Sequence, residues 1–160
     1  MAHVRKLARN AVANILLGNP QPADPAPPVY PISEVEDRIY PNRPTPVWEV
    51  ELPAIRVYTK TETASPRDGD KIPKHYDRKL LIVIEILAKV ETGFDDLIDD
   101  IAEKVENLLL RHWFLPDPIA PTVDLIDNLV LKSTEIVFVG NDVKNIIASG
   151  QITIEAEYNT

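Results

Sequence analysis

The sequence contains no cysteine, and it has only five glycines and three histidines in 160 residues. Without cysteine, disulfide scaffolds, zinc–thiolate sites, iron–sulfur clusters and thiol catalysis are excluded. The three histidines, His3, His75 and His112, are scattered, and none has a metal-ligand partner one helical turn away. No P-loop, dinucleotide-binding glycine pattern or nucleophile-elbow serine is present. The sequence therefore predicts no catalytic residue, metal or cofactor, and it argues against an enzyme.

Long apolar runs and a positive net charge are also missing. No run approaches the roughly 18 consecutive apolar residues that a membrane span requires. Arg9, Asn10 and Asn14 break the apolar core that a signal peptide would need, whereas a transit peptide remains an alternative to a mature helix. Seventeen basic and 25 acidic residues give a net charge of −8, which disfavours general nucleic-acid binding.

The N-terminal segment has the pattern of an amphipathic helix. Apolar residues recur at helical spacing over residues 4–17, and Gly18 is a stop signal. The opposite side carries Arg5, Lys6 and Arg9. We expect this helix to dock on a sheet.

Three segments are too irregular for a sheet interior. Residues 19–34 contain six prolines and predict an extended arm, either a partner-binding arm or a passive linker. Residues 60–75 are polar and predict a long loop that is either functional or locally disordered. Trp113–Asp127 is a second irregular stretch with prolines.

β-Branched and aromatic residues predict short strands at 38–40 and 54–59. The strongest strand signal covers Tyr76–Val90, where both faces are largely apolar although Glu85 and Lys89 lie on one of them. This pattern is typical of a central strand that is covered, at least in part, on both sides.

A second helix is predicted to start at Thr92, with Asp95 completing a capping-box-like pair. A hairpin of strands 129–139 and 143–158 follows, in which Gly150 is expected to mark a bulge. The order of helix, three strands, helix and two strands predicts a single α+β domain over residues 1–160. Its mostly antiparallel sheet has about four to five strands, with two helices packed on one face.

The segment Asp95–Asp99 spells the aspartate-rich motif with which isoprenoid synthases hold magnesium and diphosphate. Those enzymes need a large all-helical cavity and a second acidic cluster, and this sequence offers neither. We therefore interpret the acidic residues as a solvated helix face.

Several stretches in order resemble one family. They are the N-terminal helix, the segment Arg38-Ile39-Tyr40-Pro41-Asn42-Arg43-Pro44, the segment Glu51–Thr59 with its Leu-Pro-Ala start, and the final Ile154–Thr160. Together they resemble the tail terminator (tail completion) proteins of long-tailed bacteriophages (siphophages or myophages), related to minor tail protein U of lambda-like phages. The similarity covers nearly the whole chain, although the stretches 19–34 and 113–127 look like insertions.

The resemblance implies a structural virion protein without an active site. Such proteins form a ring, typically a homohexamer, that caps the head-proximal end of the tail tube and stops its polymerisation. The implied partners are further copies of the chain, the tail tube protein and the head–tail connector protein. DNA would pass through the lumen without sequence-specific binding, no membrane is involved, and assembly would take place in the host cytoplasm.

Within this interpretation, the loop 60–75 is expected to meet the tail tube, with charged residues giving electrostatic complementarity. The candidate partner-binding residues, toward the tube or a neighbouring subunit, are Arg67, Asp68, Asp70, Lys71, Lys74, Arg38 and Arg43. Two alternatives remain open at this point: another phage neck or head–tail connector component, and a non-catalytic cellular module that binds a ligand or a protein.

Overall fold

The helices and strands follow one another in the predicted order. A computed structural model of the chain describes residues 3–18, 29–42, 51–67, 76–111, 126, 128–139 and 147–159. The elements are α1 (Val4–Leu17), β1 (Ile39–Pro41), β2 (Ala54–Pro66), β3 (Tyr76–Lys89), α2 (Phe94–Leu110), β4 (Asn128–Val139) and β5 (Ile147–Asn159). The predicted α+β class is confirmed, and no helix in these ranges has both the length and the apolar character of a membrane span.

The five strands form one sheet in the order β1-β2-β3-β5-β4. β1 pairs in parallel with β2, and the other neighbouring pairs are antiparallel. β3 lies at the centre, as its two apolar faces predicted, and every residue from Ile82 to Ala88 is buried. The short strand β1 and the long strand β4 form the two edges of the sheet.

Both helices cover the same face of this sheet. α1 packs against β1 and β2, α2 packs against β3 and β5, and the helices contact each other. Because side chains alternate along a strand, one row from each strand points toward the helices. In that layer Val57, Ile84 and Ile152 lie side by side across three strands and are fully buried. Each such burial contributes roughly 1.5–3 kcal/mol, so this layer holds the helices on the sheet.

The end of α1 follows the prediction. Gly18 adopts a left-handed conformation with φ of 80°, and its N–H donates to the carbonyls of Asn14 and Ile15. A Cβ at this position would lie 2.8 Å from Pro31. Glycine is therefore required here both by the backbone conformation and by the close approach of the following chain.

The predicted start of α2 is wrong. Gly93, not Thr92, occupies the N-cap position, with φ of 82° and no side-chain capping hydrogen bond. Because the left-handed turn at Gly93 begins the helix one residue later, Thr92 lies outside the first turn and forms no capping box with Asp95. The pattern of Thr92 and Asp95 has the right spacing for a cap, but the glycine between them decides the geometry.

The predicted bulge at Gly150 is also wrong. Gly150 pairs in regular register with Ile86 on β3 and Ile136 on β4. Glycine is needed for another reason, since an added Cβ would lie 2.5 Å from Cγ2 of Ile98 on α2. The register shifts occur elsewhere, between Thr59 and Thr61 on β2 and between Leu131 and Ser133 on β4.

The first half of the predicted loop 60–75 is strand. β2 continues through Pro66, which pairs with Tyr76 on β3, and residues 68–75 lie outside the described residues. The side chains of Lys60–Pro66 are mostly exposed. Exposed strand positions accept polar residues, so the composition of this segment resembles that of a loop. Backbone pairing with β3 holds this segment without help from apolar side chains.

The end of the predicted proline-rich arm belongs to the body of the fold. Residues 31–37 form turns, in which the N–H of Val35 donates to the carbonyl of Ile32 (3.2 Å). The side chains of Ile32 and Val35 are fully buried in the core, which corrects the prediction of an extended arm for this part. Residues 19–28 of the arm lie outside the described residues.

The C-terminal hairpin pairs antiparallel as predicted, with β4 and β5 as its strands. Residues 140–146, which contain its turn, lie outside the described residues. The same is true of most of the predicted irregular stretch Trp113–Asp127, from which the structure describes Ile126 as a fully buried side chain.

Candidate interaction surfaces

Of the predicted partner-binding residues, the structure describes Arg38 and Arg67. Arg67 follows the end of β2, where its Nε lies 3.9 Å from Oδ1 of Asp77 and both side chains are more than half exposed. The other candidates of the segment 60–75 lie outside the described residues, as does Arg43; they are Asp68, Asp70, Lys71 and Lys74. The exposed Arg67–Asp77 pair shows that charged side chains are available to a partner at this end of the sheet.

Arg38, another predicted partner-binding residue, makes internal contacts. Its Nε donates to the carbonyl of Pro53 (3.0 Å), and its Nη2 donates to the carbonyl of Glu34 (2.8 Å). Arg38 thereby ties the turn before β1 to the start of β2. The 13 residues of β2 separate that start from Arg67 by roughly 40 Å, at about 3.3 Å per residue. Arg38 and Arg67 therefore do not form one site.

A buried polar cluster lies on the sheet face opposite α1 and α2. Nε of Arg56 donates to Oε2 of Glu85 (2.8 Å), and Oγ of Ser149 donates to Oε1 of Glu85 (3.0 Å). Glu85 is only 4% exposed, and Ser149 is fully buried. A cavity of about 250 Å³, which Asn42 and Tyr58 also line, opens beside Arg56 and Glu85. Because both carboxylate oxygens are occupied, the cluster joins three strands rather than presenting a reactive group.

A second polar cluster centres on Glu62, on the helix side of the sheet. Oη of Tyr158 (2.6 Å) and Nη1 of Arg78 (2.7 Å) both donate to Oε1 of Glu62, and Nε of Arg5 lies 3.9 Å from Oε2. Burial, reinforced by the hydrogen bond to Glu62, raises the pKa of Tyr158 to about 12. Burial opposes ionisation of Glu62, but the hydrogen bonds from Tyr158 and Arg78 hold its pKa below the ordinary value. This cluster ties the start of α1 to β2, β3 and β5.

A concave basic surface lies beside this cluster. We name it the basic pocket; it has a volume of about 380 Å³ and is lined by His3, Arg5, Lys6, Arg9, Asn42 and Thr59. Nη2 of Arg5 donates weakly to Oγ1 of Thr59 (3.4 Å). The Nε atoms of Arg5 and Arg9 are buried, and neither has a hydrogen-bond partner among the described residues. Burial, and then the charge of Arg5, lowers the pKa of Arg9.

Sequence reasoning identified the basic side of α1 but did not identify the pocket. α1 contains no acidic residue although the whole chain has a net charge of −8, and this local imbalance was the available signal. The other two residues that line the pocket, Asn42 and Thr59, are remote from α1 in sequence. Only the packing of α1 on β1 and β2 brings them next to the helix.

The solvent side of α2 is acidic. The exposed acidic residues are Asp95, Asp96, Asp99, Asp100 and Glu103. Glu106 accepts a hydrogen bond from Thr134 on β4 (2.7 Å), whereas Lys104 pairs with Glu34 in the turn that precedes β1. Among the described residues, no three acidic or histidine side chains are grouped to hold a metal ion.

An exposed apolar patch borders the same side of α2. Leu110 is 59% exposed, and Leu131 and Ile136 on β4 are each 43% exposed. Leu110 and Leu131 line a narrow groove together with Leu109, Leu129 and Ile154. The patch lies at the β4 edge of the sheet.

Comparison with known proteins gives one informative result. No protein-family model matches the sequence, and no curated protein matches it. The fold is similar to that of a chain in the solved structure described as "Virion of native gene transfer agent (GTA) particle". The TM-score is 0.53 at 14% sequence identity, and the similarity covers 100% of both chains. At this identity the comparison shows a shared fold over the whole length.

Proposed function

We propose that this protein is a structural component of a phage-like virion and acts as a tail terminator, a ring that caps the head-proximal end of the tail tube. The observation that carries the proposal is the full-length similarity of its fold to a chain of a gene transfer agent virion, a phage-like particle. The ordered sequence resemblance to tail terminator proteins supports the finer assignment. In this role the protein needs no active site.

The distribution of surfaces supports a ring. A ring requires a heterologous contact, in which one surface of a subunit meets a different surface of its neighbour. The sheet has two unlike edges, a three-residue strand β1 and a twelve-residue strand β4, and the surfaces beside them differ in charge. A head-to-tail contact would bring these two unlike surfaces together.

The end of the β2–β3 pair is the proposed contact with the tail tube. The side chains of Thr63–Arg67 are all exposed at this end, and the segment 68–74 supplies two acidic and two lysine residues in sequence. A segment with charges of both signs, next in sequence to the exposed end of β2, suits the recognition of a partner through electrostatic complementarity. This contact would place the subunits on the last ring of the tube.

The decisive experiment is negative-stain electron microscopy of the purified protein, combined with its mass from light scattering, with and without polymerised tail tube protein. We expect rings of about six subunits with an open pore, or rings that form on tube ends and stop tube growth. A protein that stays monomeric and leaves tube length unchanged would contradict the proposal. Recovery in the neck or at the other end of the tail would assign it to another virion component.

A further inference from the structure

We infer that the basic pocket on α1 receives the acidic side of α2 from a second copy of this chain, and that this contact is the seam between neighbouring subunits. The inference deepens the proposed function and rests on it, because a seam of this kind is needed only if the protein forms a ring. It assigns a partner to the basic pocket and a role to the acidic residues of α2.

The basic pocket is built for carboxylates. Three cationic side chains, Arg5, Lys6 and Arg9, line one concavity on the first two turns of α1. The Nε atoms of Arg5 and Arg9 are removed from solvent without hydrogen-bond partners among the described residues. A docking carboxylate reaches the exposed parts of these side chains instead, since the side chain of Arg5 is 42% exposed and Lys6 is exposed.

The acidic side of α2 has the matching charge. Asp95, Asp99 and Glu103 follow one another at one-turn spacing, and Glu106 continues the stripe toward β4. Asp95 lies in the first turn, where it also complements the dipole of its own helix. Asp99 and Glu103 lie beyond that turn and are exposed, so the dipole of α2 does not account for their position.

The two surfaces lie toward opposite edges of the sheet. The basic pocket includes Asn42, which directly follows the edge strand β1, and Thr59 on β2. The acidic stripe lies toward the other edge, since Glu106 accepts a hydrogen bond from Thr134 on β4. Among the described residues, the contacts of Arg5 are with Thr59 and Glu62 and not with an acidic residue of α2. The two surfaces can therefore meet between neighbours in a head-to-tail ring.

A second copy of this chain is a better occupant than nucleic acid. The chain has a net charge of −8, so a polyphosphate would be repelled by most of the surface as it approached the pocket. A second copy carries the same net charge, but only the stripe on α2 has to approach the pocket, and its carboxylates stand on a helix at one-turn spacing. Binding of DNA at this pocket is the alternative that the experiment distinguishes.

Charge reversal on each surface tests the seam. The basic-side variant is Lys6→Glu with Arg9→Glu, which leaves the Arg5–Glu62 contact in place, and the acidic-side variant is Asp99→Lys with Glu103→Lys. We expect each variant to be folded and, alone, to need about tenfold or more protein for half-assembly of rings, because like charges then meet at every seam. The control for the acidic-side variant, Asp37→Lys with Glu135→Lys, makes the same change in net charge at exposed acidic residues outside α2 and should assemble normally.

The mixture of the two variants gives the sharpest result. In an alternating ring of an even number of subunits, every reversed pocket would face a reversed stripe, so an equimolar mixture should assemble at close to the wild-type concentration.

Two outcomes would overturn the inference while the proposed ring stands. One is that both single variants form rings at the wild-type concentration, and the other is that the mixture stays unassembled. A wild-type protein that forms no ring, even on tube ends, would overturn both. A basic-side variant that forms normal rings but loses binding of a short DNA duplex would assign the pocket to DNA instead.

Discussion

Arg56 and Glu85 lie directly opposite each other on β2 and β3, and the guanidinium donates to one carboxylate oxygen while Ser149 on β5 donates to the other. The carboxylate thus fixes three neighbouring strands on the sheet face opposite α1 and α2. Since Glu85 is only 4% exposed, both of its carboxylate oxygens need hydrogen-bond partners inside the protein, and Arg56 and Ser149 supply them.

Replacement of Glu85 with alanine should destabilise the fold. The change leaves the guanidinium of Arg56 and the buried hydroxyl of Ser149 without their acceptor, and the free energy of unfolding should fall by about 2–4 kcal/mol. Urea denaturation measures the loss. Glu91→Ala is the matched control at an exposed position and should change the free energy of unfolding by less than about 0.5 kcal/mol. Equal stability of Glu85→Ala and wild type would contradict a structural role for the cluster.

Replacement of Gly150 with alanine should force α2 away from the sheet. The new Cβ would lie 2.5 Å from Cγ2 of Ile98, and overpacking of this kind costs about 1–3 kcal/mol. The double-mutant cycle with Ile98→Ala separates this clash from any loss of strand pairing. In the Ile98→Ala background, Gly150→Ala should cost almost nothing. An equal cost in both backgrounds would place the effect in the strand itself.

The burial of Tyr158, together with its hydrogen bond to Glu62, should make the stability of the fold depend on alkaline pH. The folded protein raises the pKa of Tyr158 to about 12, above the value of about 10 in an unfolded chain. The neutral phenol is therefore favoured by folding, so its contribution is complete below pH 10 and is lost as the pH rises toward 12. Urea denaturation of wild type and Tyr158→Phe over this range should show a steeper decline for wild type. Parallel curves would contradict the assignment.

Substitution of Arg67, Asp68 and Asp70 together with alanine tests the proposed tube contact. We expect a folded protein that no longer caps tubes, because these charges lie at or beyond the exposed end of β2. Tube length distributions in electron micrographs measure capping, and thermal unfolding checks the fold. A control variant with the same change in charge carries alanine at Asp37, Glu91 and Arg111, which are exposed elsewhere. Normal capping by the test variant would remove this loop from the mechanism.

The elements whose signals are local were predictable. The apolar spacing of α1 and its glycine stop gave both of its ends, and the apolar faces of β3 gave its central place in the sheet. The extension of β2 through Pro66 was not predictable, because it depends on pairing with β3 and leaves no apolar pattern. The requirement for Gly150 likewise comes from Ile98, which lies on another element.

The candidate surfaces were predictable only in part. The sequence identified the charged segment around Arg67 and the basic side of α1 as separate features. It did not show that Glu62 accepts hydrogen bonds from Arg78 and Tyr158 on two other strands, or that Arg9 lines a pocket with Thr59. These groupings depend on strand order and helix placement, which residue spacing along one element does not encode.

The register shift between Leu131 and Ser133 has a consequence for subunits that have not yet assembled. β4 is a long strand at the rim of the sheet, and such a strand offers free backbone groups to any extended chain it meets. The shift interrupts the regular backbone of β4 near the middle of the strand. It places Lys132 there, with its ammonium 3.2 Å from Oε1 of Glu155. An irregular, charged rim disfavours the pairing of this edge with the edge of another copy, and so disfavours aggregation through the sheet.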